Sequence, residues 1–289
     1  LKTFKHNGII SQQIDYQAKH IIAADTDSSM LDLSMVFNKD TDPDEVIAFA
    51  DMIGEKSNAA FPQFLKDVFN IPDDRTHIIN TEREIVADKT YMIAKKHYIM
   101  HVINDEGKPV DKLKIMGVAI KKSDTPKIIQ KFLTGLVNLL LDQKSYDEIK
   151  IFVDNFKKEY HDMSLMEIGN PKGVNKLKKY QVKYSEEGHM KAYPQHVKAS
   201  LYYNSLCSSN DIKIVSGDKI RVVYINHPRF KVMGLPVDVE VLPDFTNELM
   251  VNWKEQWKTV QKKIDIFLKP IGYDKKTRQN DLVKSLLKY

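Results

Sequence analysis

A single cysteine, Cys207, stands in 289 residues, which excludes a disulfide framework and a cysteine-rich zinc site. No apolar run approaches the ~20 residues that a bilayer-spanning helix needs. The N-terminus also lacks the charged-then-apolar pattern of a secretory leader. A cytoplasmic protein with no membrane contact is therefore expected. Glycine and proline number only 11 each, with no periodic or biased tract, so neither a fibrous nor a low-complexity chain fits. A strong excess of one charge is missing too: 44 Lys and Arg face 39 Asp and Glu, for a net charge of +5. That mild basicity permits a polyanionic partner without requiring one.

What is present supports a folded core. Hydrophobic residues make up 42% of the chain, too many for wholesale disorder, and the length fits one large or two ordinary domains. The chain opens on Leu1 rather than Met, as a fragment or processed product does.

Lys19 to Ala24 and Met30 to Phe37 read as strands, the second with Leu31, Leu33, Met35 and Phe37 alternating, joined by Asp25-Thr26-Asp27-Ser28. This is a β-hairpin with an acidic turn. Asp42-Pro43-Asp44-Glu45 starts a helix, with an Asp cap, Pro in the first turn and acids near the positive end of the helix dipole. The helix runs with a break to Phe69. Alternating stretches near 76–88 and 90–103, a turn at Asn104 to Gly107 and a strand from Asp111 to Val118 complete an α+β sheet domain. Beyond Ser123-Asp124-Thr125-Pro126 the pattern turns helical: Ile128, Ile129, Phe132, Leu133, Leu136, Val137 and Leu140 keep helical spacing. Helices follow at Tyr146 to Tyr160, near 194–208 and at 251–267. A Gly- and Lys-bearing loop fills 169–192, and Ile220 to Ile225 is a short strand. The fold class is α+β: an antiparallel sheet with packed helices, then a mostly helical domain.

The acidic turn is the most informative feature. Two neighbouring carboxylates repel unless a cation or water separates them. Fixed near one point by paired strands, Asp25 and Asp27 suit Mg²⁺, which takes few protein carboxylates and completes its octahedron with water and phosphate oxygens. A solvated acidic turn and the Asp-x-Asp of a nucleotide-sugar glycosyltransferase are the competing readings, the latter disfavoured by the short stretch before Asp25.

Basic segments follow. Ala94-Lys95-Lys96-His97-Tyr98 is predicted on a strand, with Lys96 and Tyr98 on one face. Next come Lys112-Leu113-Lys114-Ile115-Met116-Gly117 and Lys121-Lys122-Ser123-Asp124-Thr125-Pro126. The second places lysines just before a helix start, where backbone amides also favour phosphate.

In this order, Asp-Thr-Asp-Ser, Arg-Glu-Ile, Lys-Lys-x-Tyr, Leu-Lys-Ile-Met-Gly and Lys-Ser-x-Thr-Pro-Lys resemble family B DNA polymerases, most of all the replicative enzymes of T-even-type phages. Likenesses continue at Asn175 to Tyr180, Pro194 to Ala199 and Phe267 to Pro270, so the resemblance covers about 20–289. Ala24 stands where the family has Gly, and His97 where it has Arg.

The resemblance implies domains and roles. Residues 1–118 would be the C-terminal part of the palm, 119–273 the thumb and 274–289 a tail. Asp27 would ligate the catalytic Mg²⁺ ions, with Asp25 a less direct acid and Glu84 an acid beside them. Lys96 and Tyr98 would contact the primer end and Lys122 the primer duplex, with Lys95 also DNA-binding; His196 and Lys198 would either touch the duplex from the thumb or form part of a solvated helix face. Leu282, Leu286, Leu287 and Tyr289 would form a peptide for a sliding clamp, the alternative being a last helix folded back on the thumb. The family's first and second polymerase motifs and its proofreading exonuclease are absent. Catalysis would need an N-terminal polymerase segment or subunit, with primer–template DNA as substrate in a host cytoplasm. The alternative is a non-catalytic duplex-binding module.

Cys207 is read as a buried helical thiol, Trp253 and Trp257 as packing residues, and Leu201 and Leu206 as the core of one helix.

Overall fold

The structure, a computed structural model, describes residues 2–6, 9–13, 21–25, 27–38, 40–118, 120 and 122–272. They fall into two units, one built from Leu1–Thr90 with Met100–Lys114, the other from Tyr91–Ile99 with Ile115–Tyr289.

In the first unit, β1 (Lys2–His6) and β2 (Ile9–Gln13) form an antiparallel pair, as do β3 (Ile21–Asp25) and β4 (Ser28–Leu31). The second pair is the expected acidic hairpin, but β4 is shorter than its alternation suggested. The Asp32 carboxylate accepts the Ser34 amide at 2.9 Å, and Val36 and Phe37 amides close back onto the Leu33 carbonyl. This local side-chain bond competes with the ladder and turns the chain. Phe37 then packs edge-on against Phe49 of α1 (Pro43–Phe69).

α1 begins as its sequence demands. Asp42 caps it by accepting the Asp44 amide at 3.0 Å, Pro43 opens it, and Asp44 and Glu45 face the positive end of the dipole. The helix runs unbroken, Pro62 included, where the sequence suggested a break somewhere before Phe69, and it ends at Asn70 in left-handed conformation. Residues 76–84 are not strand. Asn58 of α1 satisfies that backbone instead: its Oδ1 accepts the Thr81 amide at 2.7 Å and its Nδ2 donates to the Thr81 carbonyl at 2.9 Å.

β5 (Ile85–Ala94), β6 (His97–Asp105) and β7 (Lys108–Met116) form one sheet in that order. Two-residue links at 95–96 and 106–107 make both pairs antiparallel, since parallel neighbours need a long crossover. Glu106 and Gly107 both have positive φ, as a tight hairpin turn of this hand requires. Ile99 and Val102 of β6 are fully buried.

In the second unit, α2 (Lys127–Leu141) buries Ile129, Phe132, Leu133, Leu136, Val137 and Leu140 of the predicted stripe and leaves Ile128 half-buried. α3 (Tyr146–Tyr160) matches its expected bounds because Ser145 and Glu148 form a reciprocal capping box. Phe156 of α3 stacks on Phe132, centroids 3.9 Å apart. α4 (Leu165–Ile168) leads into β8 (Asn170–Gly173) and α5 (Leu177–Glu187), both within the stretch expected to be loop. β8 is edge-paired antiparallel to β9 (Lys219–Tyr224), which pairs antiparallel with β10 (Val232–Pro236). Pairing, not local alternation, makes four-residue β8 a strand.

α6 (Gln195–Leu206) lies on β10, where Gly234 permits the approach: a Cβ there would meet the Ala199 backbone carbon at 3.2 Å. Leu201 is buried as expected, but Leu206 is 42% exposed, because α6 ends there. Cys207 is not helical. It is the half-buried residue just beyond α6, where burial first of all raises its thiol pKa and keeps it an unreactive thiol.

α7 (Trp253–Leu268) closes the unit with Trp257, Val260, Ile264 and Phe267 inward. Trp253 stacks on His161 and Trp257 packs on Tyr160, so both tryptophans are packing residues. At the centre lies fully buried Gln256. Its amide donates to the Ile168 carbonyl at 2.7 Å and to the Tyr160 hydroxyl at 3.2 Å, and its oxygen accepts the Tyr224 amide at 3.0 Å. One side chain thus joins α7, α4, α3 and β9. Burial pushes the Tyr160 phenol up to about 12.

Candidate functional site

The acidic hairpin presents its carboxylates to solvent. Asp25 ends β3, opposite Ser28 of β4 in the ladder, and Asp27 stands in the turn between them. Both residues are exposed. Two hard oxygen donors fixed by paired strands suit Mg²⁺, which needs only one or two carboxylates alongside water and phosphate. Among the described residues, no group of three His, Cys, Asp or Glu side chains is arranged to hold a metal, so Asp25, Asp27 and Glu84 do not form one.

Glu84 lies just before β5 and is engaged elsewhere. Lys114 of β7 sits 2.7 Å from its Oε1, and its carbonyl accepts the Glu106 amide at 2.7 Å. The neighbouring Arg83 is anchored by Asp51 of α1 at 2.6 Å and by the buried Asn104 of β6 at 2.7 Å. The Arg-Glu-Ile segment is therefore held rigidly at the head of β5.

Lys95 and Lys96 require a correction. They are not on a strand but form the two-residue turn between β5 and β6, and Lys96 has φ of 62°. A one-residue-per-face strand would have set Lys96 and Tyr98 side by side. The turn instead projects both lysines from a hairpin tip, while Tyr98 stays half-buried on β6. His97 folds back, its Nδ1 2.9 Å from the Lys95 carbonyl.

Lys122 is exposed, and its carbonyl is tied down by the Thr125 amide at 3.0 Å and the Gln130 side chain at 3.3 Å. These bonds fix the loop leading into α2. His196 and Lys198 sit half-buried in the first turn of α6. Burial, and then the charge of Lys172, lower the His196 pKa, which favours a neutral imidazole at neutral pH. Leu282, Leu286, Leu287 and Tyr289 lie outside the described residues.

Sequence reading missed several polar groupings. His101 of β6 lies between Asp88 of β5 and Asp111 of β7, at 2.6 and 2.7 Å. Lys172 of β8 and Lys263 of α7 meet Asp124 and Thr125 ahead of α2. None of these residues is close in sequence to its partner, so no local spacing could have revealed them.

No family model matches the chain. Comparison with curated proteins finds similarity to one class, the DNA-directed DNA polymerases. Two relatives are the polymerase of Enterobacteria phage T4, 24% identical, and that of Escherichia phage RB69, 23% identical, each match covering 87% of this chain. The chain spans about 29% of the length of each. These matches bear out the resemblance to part of a T-even-type family B polymerase. Among the described residues no helix is long and apolar enough to cross a membrane.

Proposed function

We propose that this chain acts as the C-terminal palm and thumb portion of a DNA-directed DNA polymerase. Similarity along 87% of the chain to two phage polymerases carries this reading, and the ordered acidic and basic motifs support it. The reaction is in-line attack of a primer 3′-hydroxyl on the α-phosphate of a deoxynucleoside triphosphate, with release of pyrophosphate.

Asp27, with Asp25 behind it, would hold one side of the magnesium site. Bound magnesium ions supply activation of the hydroxyl and charge neutralisation at the leaving group. A further polymerase segment carries the other catalytic aspartate and the triphosphate-binding fingers. Lys95, Lys96 and Tyr98 position the primer end, and Lys122, His196 and Lys198 hold the duplex through its backbone. Contacts of this kind orient DNA without reading its sequence. Leu282, Leu286, Leu287 and Tyr289 are assigned to a sliding clamp.

The test is primer extension by the purified chain, alone and with a companion polypeptide bearing the first two polymerase motifs. The expected result is duplex binding without extension by the chain alone, and extension with the companion. Duplex binding but no extension in both arms would leave a non-catalytic duplex-binding module. Absence of both activities would overturn the reading.

A further inference from the structure

The β5–β6 turn that carries Lys95 and Lys96 is fastened by a residue remote in sequence. Tyr91 of β5 donates its phenol to the Phe267 carbonyl of α7 at 2.6 Å, across 176 residues. Phe267 is fully buried and is the next-to-last residue of α7, so its carbonyl is among those that a helix end leaves without an intrahelical donor. Tyr91 is half-buried, and burial pushes its phenol up to about 12, so it stays protonated and able to donate at neutral pH.

The bond lies where it can set the turn. β5 passes from the first unit to the second at Tyr91, and β6 passes back after Ile99, so Tyr91 opens the stretch of hairpin that belongs with α7. Four residues, about 13 Å of strand, separate Tyr91 from Lys95. Ile99, on the return strand, is fully buried. The turn is braced within itself: His97 Nδ1 lies 2.9 Å from the Lys95 carbonyl, and Lys96 takes φ of 62°. Lys95 and Lys96 are exposed at the tip. A short, internally braced hairpin moves as one piece, so a bond at its base limits where both ammonium groups can point.

We propose that Tyr91 is a positioning residue: its hydroxyl, held by the Phe267 carbonyl, locks the hairpin tip so that Lys95 and Lys96 meet the primer strand already ordered. Pre-ordering of this kind raises affinity by removing the ordering cost of binding, and adds no new contact. The inference rests on the polymerase reading for what the turn touches, and extends that reading to Tyr91 and the end of α7. Tyr91 acts through the turn and not on the DNA.

The test is a double-mutant cycle on the full chain, read as affinity for a fluorescent primer–template duplex. Tyr91→Phe keeps the ring and removes only the hydroxyl. It is combined with Lys95→Ala/Lys96→Ala, which removes the two ammonium groups. Tyr91→Phe alone is expected to raise Kd about fivefold, the order of one hydrogen bond. The salt slope should be kept, because the same phosphate contacts are still made. In the background lacking the lysines the same substitution should leave Kd unchanged, since its effect passes through them. Losses of equal size in both backgrounds would make the bond a structural one, and no loss in either would make it idle. Both results overturn the proposal and leave the polymerase reading standing. If wild type does not bind duplex, the polymerase reading fails, and the lock is read instead by hydrogen exchange of the 92–98 amides. Faster exchange there in Tyr91→Phe upholds the lock without its DNA role, whereas unchanged exchange overturns both.

Discussion

Gly117 lies directly against Lys96: a Cβ on Gly117 would press into the Lys96 carbonyl and meet the His97 ring at 2.8 Å. Gly117 also has φ of 71°, a conformation that costs other residues roughly 1–2 kcal/mol. The end of the Leu-Lys-Ile-Met-Gly motif thus supports the turn that carries Lys95 and Lys96. Gly117→Ala is expected to displace that turn and weaken duplex binding, while the helices of the second unit keep their circular dichroism. Unchanged duplex affinity would mean that the turn's position is immaterial.

His101 should make the sheet sensitive to pH. Hydrogen bonds to Asp111 and then Asp88 raise its pKa, against a smaller opposing effect of burial. Protonated His101 donates to both carboxylates and links β5, β6 and β7. Since the folded value is raised, this stabilisation is complete below the unfolded value of about 6.5 and is lost as pH rises through the folded value. Asp111 is 91% exposed, so water screens that half of the arrangement and the effect is modest. Urea midpoints of wild type should fall from pH 6 to pH 8.5, and those of His101→Ala should be flatter. Parallel profiles would assign the pH dependence elsewhere.

Gln256 is expected to be among the most sensitive positions of the second unit. Gln256→Leu removes the partner of the Tyr224 amide and weakens the satisfaction of Tyr160 and Ile168. Leaving buried polar groups unpaired costs about 2–4 kcal/mol here. Chemical denaturation reads this directly, and a loss under about 0.5 kcal/mol, the range of ordinary surface substitutions, would show that water or repacking replaces the amide.

In an enzyme reconstituted with a companion segment, Asp27→Ala should lower turnover by several orders of magnitude while duplex binding persists. Loss of metal-held charge stabilisation is worth several kcal/mol. Asp25→Ala should be milder. Small and equal losses at both positions would reduce the hairpin to a solvated turn.

Lys96→Ala should weaken duplex binding equally across DNA sequences and lower the salt slope by about one, as phosphate contacts do. A changed sequence preference at constant slope would instead indicate contact with base edges.

Local chemistry made much of this chain readable in advance. The Ser145–Glu148 box and the Asp42-Pro43 start announce helices because caps act within one turn. The stripe from Ile129 to Leu140 identifies a buried helix face because 3.6-residue spacing is itself the signal. The acidic hairpin and the ordered motifs were legible for similar reasons, since each is contained in a few consecutive residues. Other features depend on partners far along the chain. β8 becomes a strand only by pairing with β9, and 76–84 remains outside the sheet because Asn58 occupies its backbone groups. Lys96 leaves its strand because the β5–β6 register puts the turn there. Lys172 of β8 and Lys263 of α7 meet Asp124 and Thr125 of one loop, Lys263 from 138 residues away. Folding sets such distances through burial and backbone pairing over the whole unit, and no short window of sequence carries that information.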